Sequence, residues 1–299
     1  MSVTVVGSVA LDTVETPWGK NPEGLGGAAV YFALAARHFC PVQLVGVVGE
    51  DFPVRHISLL EEKGIGLEGL EYAAGRTFRW TGRYHEDINE RDTLDTQLNV
   101  FADFHPKVPE AARASKYLFL GNIHPSLQLE VLDQTRHGFV GLDTMNLWIQ
   151  STPADLARVL RRVNVLFIND SEARQLTGEL NLCHAAAKIR DMGPDIIAIK
   201  KGEHGCVLFA GAEHIFAVPA FPLPTVVDPT GAGDSFGGGF MGYLAHRDAT
   251  DFSALKQAVV YGSIVASFTC EAFGPTRLAE IDASVIEARY ETFKEMTAF

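Results

Sequence analysis

A mostly parallel α/β sheet with helices on both faces, carrying a small inserted β lid, is the fold class this sequence predicts, and three patterns predict it. Short apolar runs rich in β-branched residues at 3–7, 42–48, 117–120, 139–142, 163–168 and 196–199 alternate with helix-like stretches at 28–38, 126–135, 153–161 and 182–192. Such alternation is the grammar of βαβ units in a parallel sheet. Beyond residue 230 the pattern changes to long helical stretches at 231–246, 251–270 and 281–296, with little strand signal between them. Between residues 77 and 100 the period drops to two.

In that last segment Phe78, Trp80 and Tyr84 alternate with Arg79, Thr81, Arg83 and His85, and Leu94, Thr96, Leu98 and Val100 alternate likewise. Side chains two apart share one face of a strand. The polar sequence EDINERD between the two runs reads as a hairpin tip. Two antiparallel strands so placed would project from the main body, joined by the 13–25 segment with its PWGKNPEG turn chemistry. A lone hairpin is marginally stable, so its aromatic face must be covered by ligand, main body or another subunit.

The 299 residues allow two domains or one large one. No repeat, low-complexity tract or flexible linker interrupts them, so one domain over 1–299 is expected, with the lid drawn from about 12–25 and 72–101. Asp and Glu number 37 against 25 Lys and Arg, for a formal net charge of −12. Such a surface repels phosphate chains and anionic lipid, which argues against nucleic acid and membrane as partners. An anionic ligand would have to be met locally, by backbone N–H groups, a metal or a few lysines. Cys40, Cys183, Cys206 and Cys270 are scattered with no metal or disulfide spacing, and no apolar run approaches the roughly 18 residues of a membrane span. A reduced, cytoplasmic protein is expected.

The most informative segment is VVDPTGAGDSFGGGFMGYL, residues 226–244. After a short strand, Pro229 and Thr230 make a turn, and Gly231, Ala232 and Gly233 open a helix whose first N–H groups point outward. Such a nest suits a phosphate. Gly237, Gly238, Gly239 and Gly242 then sit inside the helix, each about 1 kcal/mol worse than alanine there. Close approach of a backbone or ligand is the expected compensation. Asp234 lies in the first turn. It either decorates a helix start, where the macrodipole favours a carboxylate, or it accepts a proton from a hydroxyl attacking the bound phosphate. A rival reading takes Gly231, Gly233 and Gly237 as a dinucleotide turn of an NAD(P)-dependent oxidoreductase. That fingerprint should open a βαβ unit, whereas here one helix precedes another. No GxxxxGKS/T P-loop occurs.

At DPTGAGDSFGGGF the sequence resembles the C-terminal signature of the ribokinase-like (PfkB) family of carbohydrate and nucleoside kinases. The resemblance extends over nearly the whole chain. It implies a ribokinase-type (Rossmann-like) fold and an ATP- and Mg²⁺-dependent kinase acting on a hydroxyl of a small polyol: a sugar, a nucleoside or an inositol. Asp234 would be the catalytic base, with the amides of Gly231, Ala232 and Gly233 as the anion hole. Asn169 and Glu172 match the family's N-x-x-E motif, which serves Mg²⁺ and phosphates through water, although Asn followed by Glu three residues on is also a capping box. Lys200, Gly202 and Gly205 in IAIKKGEHG resemble the nucleotide-binding strand and turn. EAFGPTR, 271–277, resembles the loop flanking adenine and, with Asp228 and Thr230, a candidate monovalent-cation (K⁺) site. Asp12 after the first strand, Gly26 and Gly27, Tyr31, and Asn122 after the 117–120 strand are implied on the substrate side, with Asp143 and Asn146 as weaker strand-end candidates. Two departures stand out. Tyr31 replaces the asparagine of G-G-x-x-x-N, which argues against ribose itself, and Val54 replaces the last glycine of G-x-D-x-x-G. A homodimer through the lids occurs in some relatives. A non-catalytic sugar-binding relative is disfavoured because Asp234 and the glycine turn are intact.

Overall fold

Strands β1 (Val3–Val6), β8 (Tyr117–Leu120) and β9 (Phe139–Asp143) are buried along their whole length, as is β10 (Val165–Asn169) up to its last residue. Continuous apolar runs of this kind require cover on both faces. A computed structural model describes residues 1–136 and 138–298. With β4 (Val42–Gly49), β5 (Ile65–Ala73), β11 (Ile196–Lys200), β12 (Cys206–Ala210) and β13 (His214–Val218), these strands form a nine-stranded sheet in the order β13-β12-β11-β10-β9-β8-β1-β4-β5. Pairing is parallel from β5 to β11 and antiparallel only at β11–β12 and β12–β13. The chain leaves β1 toward β4 and β5, then returns to β1's other side at β8. Crevices for ligands form at the carboxyl ends of strands where the order reverses in this way.

The predicted helices recur with small shifts of boundary, the last three as Ala232–Arg247, Phe252–Thr269 and Ala283–Thr297. Strands β5, β12 and β13 were not predicted. In β5 glycine and glutamate interrupt the apolar pattern (IGLEGLEYA), and β12 and β13 form one edge of the sheet.

The lid has four strands, not two. Residues 10–26 supply β2 (Ala10–Thr16) and β3 (Gly19–Gly26) instead of a connecting segment, and the sheet runs β3-β2-β6-β7 with β6 (Phe78–Tyr84) and β7 (Arg91–Gln97). Strands β2 and β6 pair in parallel, the outer pairs antiparallel. The second predicted strand is shifted: Asn99 adopts a left-handed φ of 49° and turns the chain into a short 3-10 helix, Asn99–Asp103, so Leu98 and Val100 lie outside β7. That turn covers part of the aromatic face, stacking Phe101 on Phe78 with ring centroids 5.4 Å apart. At the lid's root Asp51 accepts from the Thr77 N–H and hydroxyl (2.7 and 2.8 Å) and pairs with the Arg79 guanidinium at 2.8 Å.

The glycines of helix Ala232–Arg247 find their compensation in neighbouring backbone. A Cβ on Gly238 would lie 2.4 Å from the Phe32 carbonyl oxygen, and one on Gly242 3.0 Å from Ala36 Cα, both in helix Ala28–Ala36. On the other side Gly239 faces Gly262 Cα at 3.0 Å. Gly238→Ala is therefore expected to lower the unfolding free energy by roughly 2 kcal/mol, because overpacking against a carbonyl outweighs the helix-propensity gain. Urea denaturation measures it, and a stabilised variant would refute the close approach.

Candidate active site

Asp228 sets the glycine turn. Its Oδ1 accepts from the Thr230 N–H (2.9 Å) and its Oδ2 from the Gly274 N–H (3.0 Å), so one buried carboxylate ties the turn to the 271–277 loop. Gly231 follows with φ of 76°, and its missing Cβ leaves room for the Tyr31 ring, whose Cγ would lie 2.2 Å away. The Ala232 N–H is spent on the Pro229 carbonyl (3.1 Å), which corrects the expectation that all three turn amides face an anion. Among the described residues, the Gly231 and Gly233 N–H groups meet no backbone acceptor.

Lys200, the last residue of β11, reaches this turn. Its Nζ lies 3.0 Å from where a Gly233 Cβ would be, and 2.9 Å from Asp143 Oδ1 at the end of β9. Burial alone would lower the lysine pKa. The charges of Asp143 and Glu172 reverse that and hold it above the ordinary value. Asn169 and Glu172 form the capping box that the spacing allowed, with bonds of 2.7 and 2.9 Å. Burial pushes the Glu172 carboxyl up, against the nearby charge of Lys200.

Two cavities meet at the turn. One, of about 550 Å³, is lined by Asn169, Lys200, Gly202, Gly205, Ala232 and Gly233, with Phe221, Leu223 and Phe236 as its apolar wall. Gly202 (φ 55°) and Gly205 (φ 81°) adopt left-handed backbone there. The other, of about 750 Å³, lies under the lid and is lined by Asp12, Gly27, Tyr31, Asn122, Thr230, Gly231 and Asp234, with Trp80, Phe101, Phe104, His124 and Trp148 among its rings.

Asp234 faces this second cavity from the first turn of its helix. Its Oδ1 is enclosed and has no hydrogen-bond partner, and the same holds for the Tyr31 hydroxyl. Burial raises the Asp234 carboxyl far above its usual range. Asp143 and Asp12 add to the rise, and Lys200 opposes it. Asp12 sits within lid strand β2, not in a loop past the first strand. Burial and the charge of Asp228 push it up to about 7, while the Gly27 N–H and Arg91 pull the other way. Gly26 does not line the cavity; a Cβ there would lie 1.9 Å from Asp12 Oδ2, so it makes room for that side chain. Gly27, with φ of 98°, lies against the Ser8 carbonyl. Asn122 Oδ1 accepts from the Trp148 indole N–H at 2.8 Å.

Thr230 donates its hydroxyl to the Tyr84 hydroxyl of the lid at 3.2 Å. Among the described residues no three His, Cys, Asp or Glu side chains are grouped to hold a metal by themselves. Magnesium commonly takes one or two carboxylates, several waters and substrate phosphates, and Glu172, whose charge interacts with that of Lys200, fits that pattern. The sequence undervalued Asp143, whose signal was its position at a strand end, and missed Arg91, which carried no signal beyond a place in a polar hairpin. The glycine turn opens onto a second helix and not a βαβ unit, which removes the dinucleotide reading.

The family model for pfkB family carbohydrate kinases matches residues 5–282. A cytidine kinase of Thermococcus kodakarensis is 30% identical over 254 residues, 83% of this chain and 90% of the relative. Among solved structures, an aminoimidazole riboside kinase from Salmonella enterica, complexed with aminoimidazole riboside and an ATP analog, superposes with a TM-score of 0.74 at 21% identity, covering 97% of this chain and all of that one. A Burkholderia thailandensis nucleoside kinase in complex with inosine gives 0.76 at 20% identity, with 97% and 98% covered.

The raised carboxyls yield a direct test. In ¹³C-detected NMR titrations of the free protein, Asp12 should titrate near pH 7 and Asp234 well above the 3.8 of a free aspartate. Asp12→Asn removes a like charge and should move the Asp234 midpoint down. A midpoint that stays put would show that the two carboxyls do not interact.

Proposed function

The chain belongs to the pfkB family of carbohydrate kinases and phosphorylates a hydroxyl of a sugar or nucleoside, and within that activity we propose that ATP is the donor, a nucleoside the acceptor and Asp234 the base. One observation carries the reading: the unpartnered Asp234 Oδ1 faces the lid-covered cavity, while the turn that precedes it forms the wall of the other cavity. A hydroxyl bound beside Asp234 is thereby one turn of backbone away from a phosphate bound at Gly233.

In this reading the acceptor oxygen attacks the γ-phosphorus as its proton passes to Asp234, whose raised pKa suits a base working near neutral pH. The Gly231 and Gly233 N–H groups, the helix N-terminus and the Lys200 ammonium meet the charge on the phosphoryl oxygens. Mg²⁺, held through water by Glu172 and by the phosphates, would neutralise part of the charge on the β- and γ-oxygens. Asp12, beside the Gly27 N–H, accepts from acceptor hydroxyls, and the Tyr31 hydroxyl is free to bond another. The rings of Phe101, Phe104, His124 and Trp148 supply an aromatic wall suited to a planar base, and the cavity exceeds the needs of a free pentose. Asp228 and Thr230 are the proposed corner for K⁺. The exposed Trp18, Leu94 and Leu98 of the lid segments favour a homodimer through the lids, and the four unpaired cysteines with ATP as donor favour the cytoplasm.

Asp234→Asn is expected to fold and bind ADP while kcat falls by about 10²–10⁴-fold; near wild-type turnover would overturn the base assignment. In an ADP-release screen, cytidine, adenosine or inosine should exceed ribose and inositol in kcat/KM. Ribose equal to the best nucleoside would overturn the acceptor class. Replacing K⁺ by Na⁺ or choline should slow turnover, and equal rates would remove the cation.

A further inference from the structure

We propose that Asn122 and His124 form a two-donor reader of the acceptor's base, selecting nucleosides whose base carries two adjacent hydrogen-bond acceptors. The proposal rests on the nucleoside reading of the lid-covered cavity and names the class of base that the cavity takes.

Both residues line that cavity, just past the carboxyl end of β8. The corner that carries them is held from within: the Gly121 carbonyl accepts from the Ile123 N–H (2.8 Å) and from the side-chain amide of the buried Gln128 (2.9 Å). Asn122 Oδ1 accepts from the Trp148 indole N–H at 2.8 Å. An indole can only donate, so this contact fixes which way the amide is turned and leaves Nδ2 as the free end. His124 caps the helix Pro125–Gln134, its Nδ1 accepting from the Ser126 N–H (3.2 Å) and hydroxyl (2.8 Å). A backbone N–H can likewise only donate. The proton of the neutral ring therefore sits on Nε2, which points away from the helix start.

Neither Asn122 Nδ2 nor His124 Nε2 meets an acceptor among the described residues. Trp148 joins the two donors, since its N–H holds Asn122 while its ring meets the His124 ring edge to face, with centroids 5.1 Å apart. An anion is not the missing partner. Pro125 has no N–H, the Ser126 N–H is used by the imidazole, and those of Leu127 and Gln128 bond the His124 carbonyl, so this helix start has little to offer a negative charge. His105 and Glu130, farther along the same wall, face each other at 3.1 Å. What fits is a neutral, flat group with two acceptors side by side, packed against rings.

Cytosine offers such a pair in O2 and N3, and hypoxanthine and guanine in O6 and N7. Adenine sets its amino group beside N1 and N7, and uracil sets N3–H between its carbonyls, so each turns a donor toward a donor. A donor that loses its water and gains no acceptor costs more than the bond itself would have given, which is how a polar site rejects a near match.

The test compares acceptors in the full chain with ATP and Mg²⁺. Cytidine, inosine and guanosine should exceed adenosine and uridine in kcat/KM by about 10–10²-fold. Replacing one acceptor nitrogen by CH, in 3-deazacytidine or 7-deazainosine, should cost about as much, mostly in KM. Asn122→Asp keeps an acceptor for the Trp148 N–H but exchanges the donor for a second acceptor, so it should shift the ratio of inosine to adenosine toward adenosine by about 10-fold or more. His124→Ser keeps an oxygen to cap the helix and withdraws the ring donor, and it should narrow the same ratio. Adenosine or uridine equal to inosine and cytidine, or deaza analogues as good as their parents, would overturn the two-donor reader and leave a nucleoside as the acceptor class. A free sugar preferred to every nucleoside would overturn both readings.

Discussion

Everything at the site hangs on how closely helix Ala232–Arg247 can lie against its neighbours. An anion-binding helix N-terminus is useful only if it is held still, since hydrogen-bond strength falls steeply with misplacement. Here Gly238 and Gly242 meet the backbone of helix Ala28–Ala36, and Gly239 meets Gly262. Side chains at these positions would push the helix out and swing its N-terminus away from Lys200 and Tyr31. The poor helix propensity of the glycines is thus the cost of a fixed turn, and a low-propensity stretch in mid-helix becomes a positioning device.

With that turn fixed, the partners of each carboxylate decide its role. Asp228 accepts two backbone N–H bonds and is structural; Asp143 is paired with Lys200; Asp12 is offset by one N–H and by Arg91 at longer range; Asp234 Oδ1 has no partner. In the proposed reading the acid with an unbonded oxygen facing the lid-covered cavity is the one that takes the proton. This crowding opposes folding. A carboxyl whose folded pKa is raised binds its proton more tightly when folded, so it stabilises at low pH and costs stability as pH rises from 3.8 through the raised value. For Asp12, near 7, the full cost is on the order of 4 kcal/mol. Ligands that bring cations or hydroxyl donors offset that cost.

The parallel strands and helices were legible because a buried strand must be apolar throughout and a long helix must repeat near 3.6 residues. Strand β5 was not, since its glycines and glutamates lack both signals, and the 10–26 half of the lid was not, since its turn residues hide two strands. At the site, Asp234 and the glycine turn could be read from local chemistry alone, because a helix N-terminus is a local object. Asn169 and Glu172 were ambiguous in the sequence, and the capping box they form leaves Glu172 half-buried, within reach of the charge of Lys200. Arg91 could not be read at all. Its place in the cavity wall depends on how the hairpin meets the main body, as where Tyr84 meets Thr230, a contact between distant parts of the chain.

Tyr31 joins these threads. It departs from the asparagine of the motif it otherwise resembles, yet it is not a simple exchange of one acceptor-binding group for another. Its ring occupies the space that a Gly231 side chain would need, and its hydroxyl lies buried and unpartnered on the acceptor side. The residue that shapes the acceptor cavity is therefore also the floor of the anion-binding turn. A smaller side chain would leave a void beneath Gly231, and a void in a packed interior is filled by movement of what surrounds it. At this position the choice of acceptor and the placement of the phosphoryl group cannot vary independently, which is a physical reason for a tyrosine here to go with a different acceptor from the one asparagine serves.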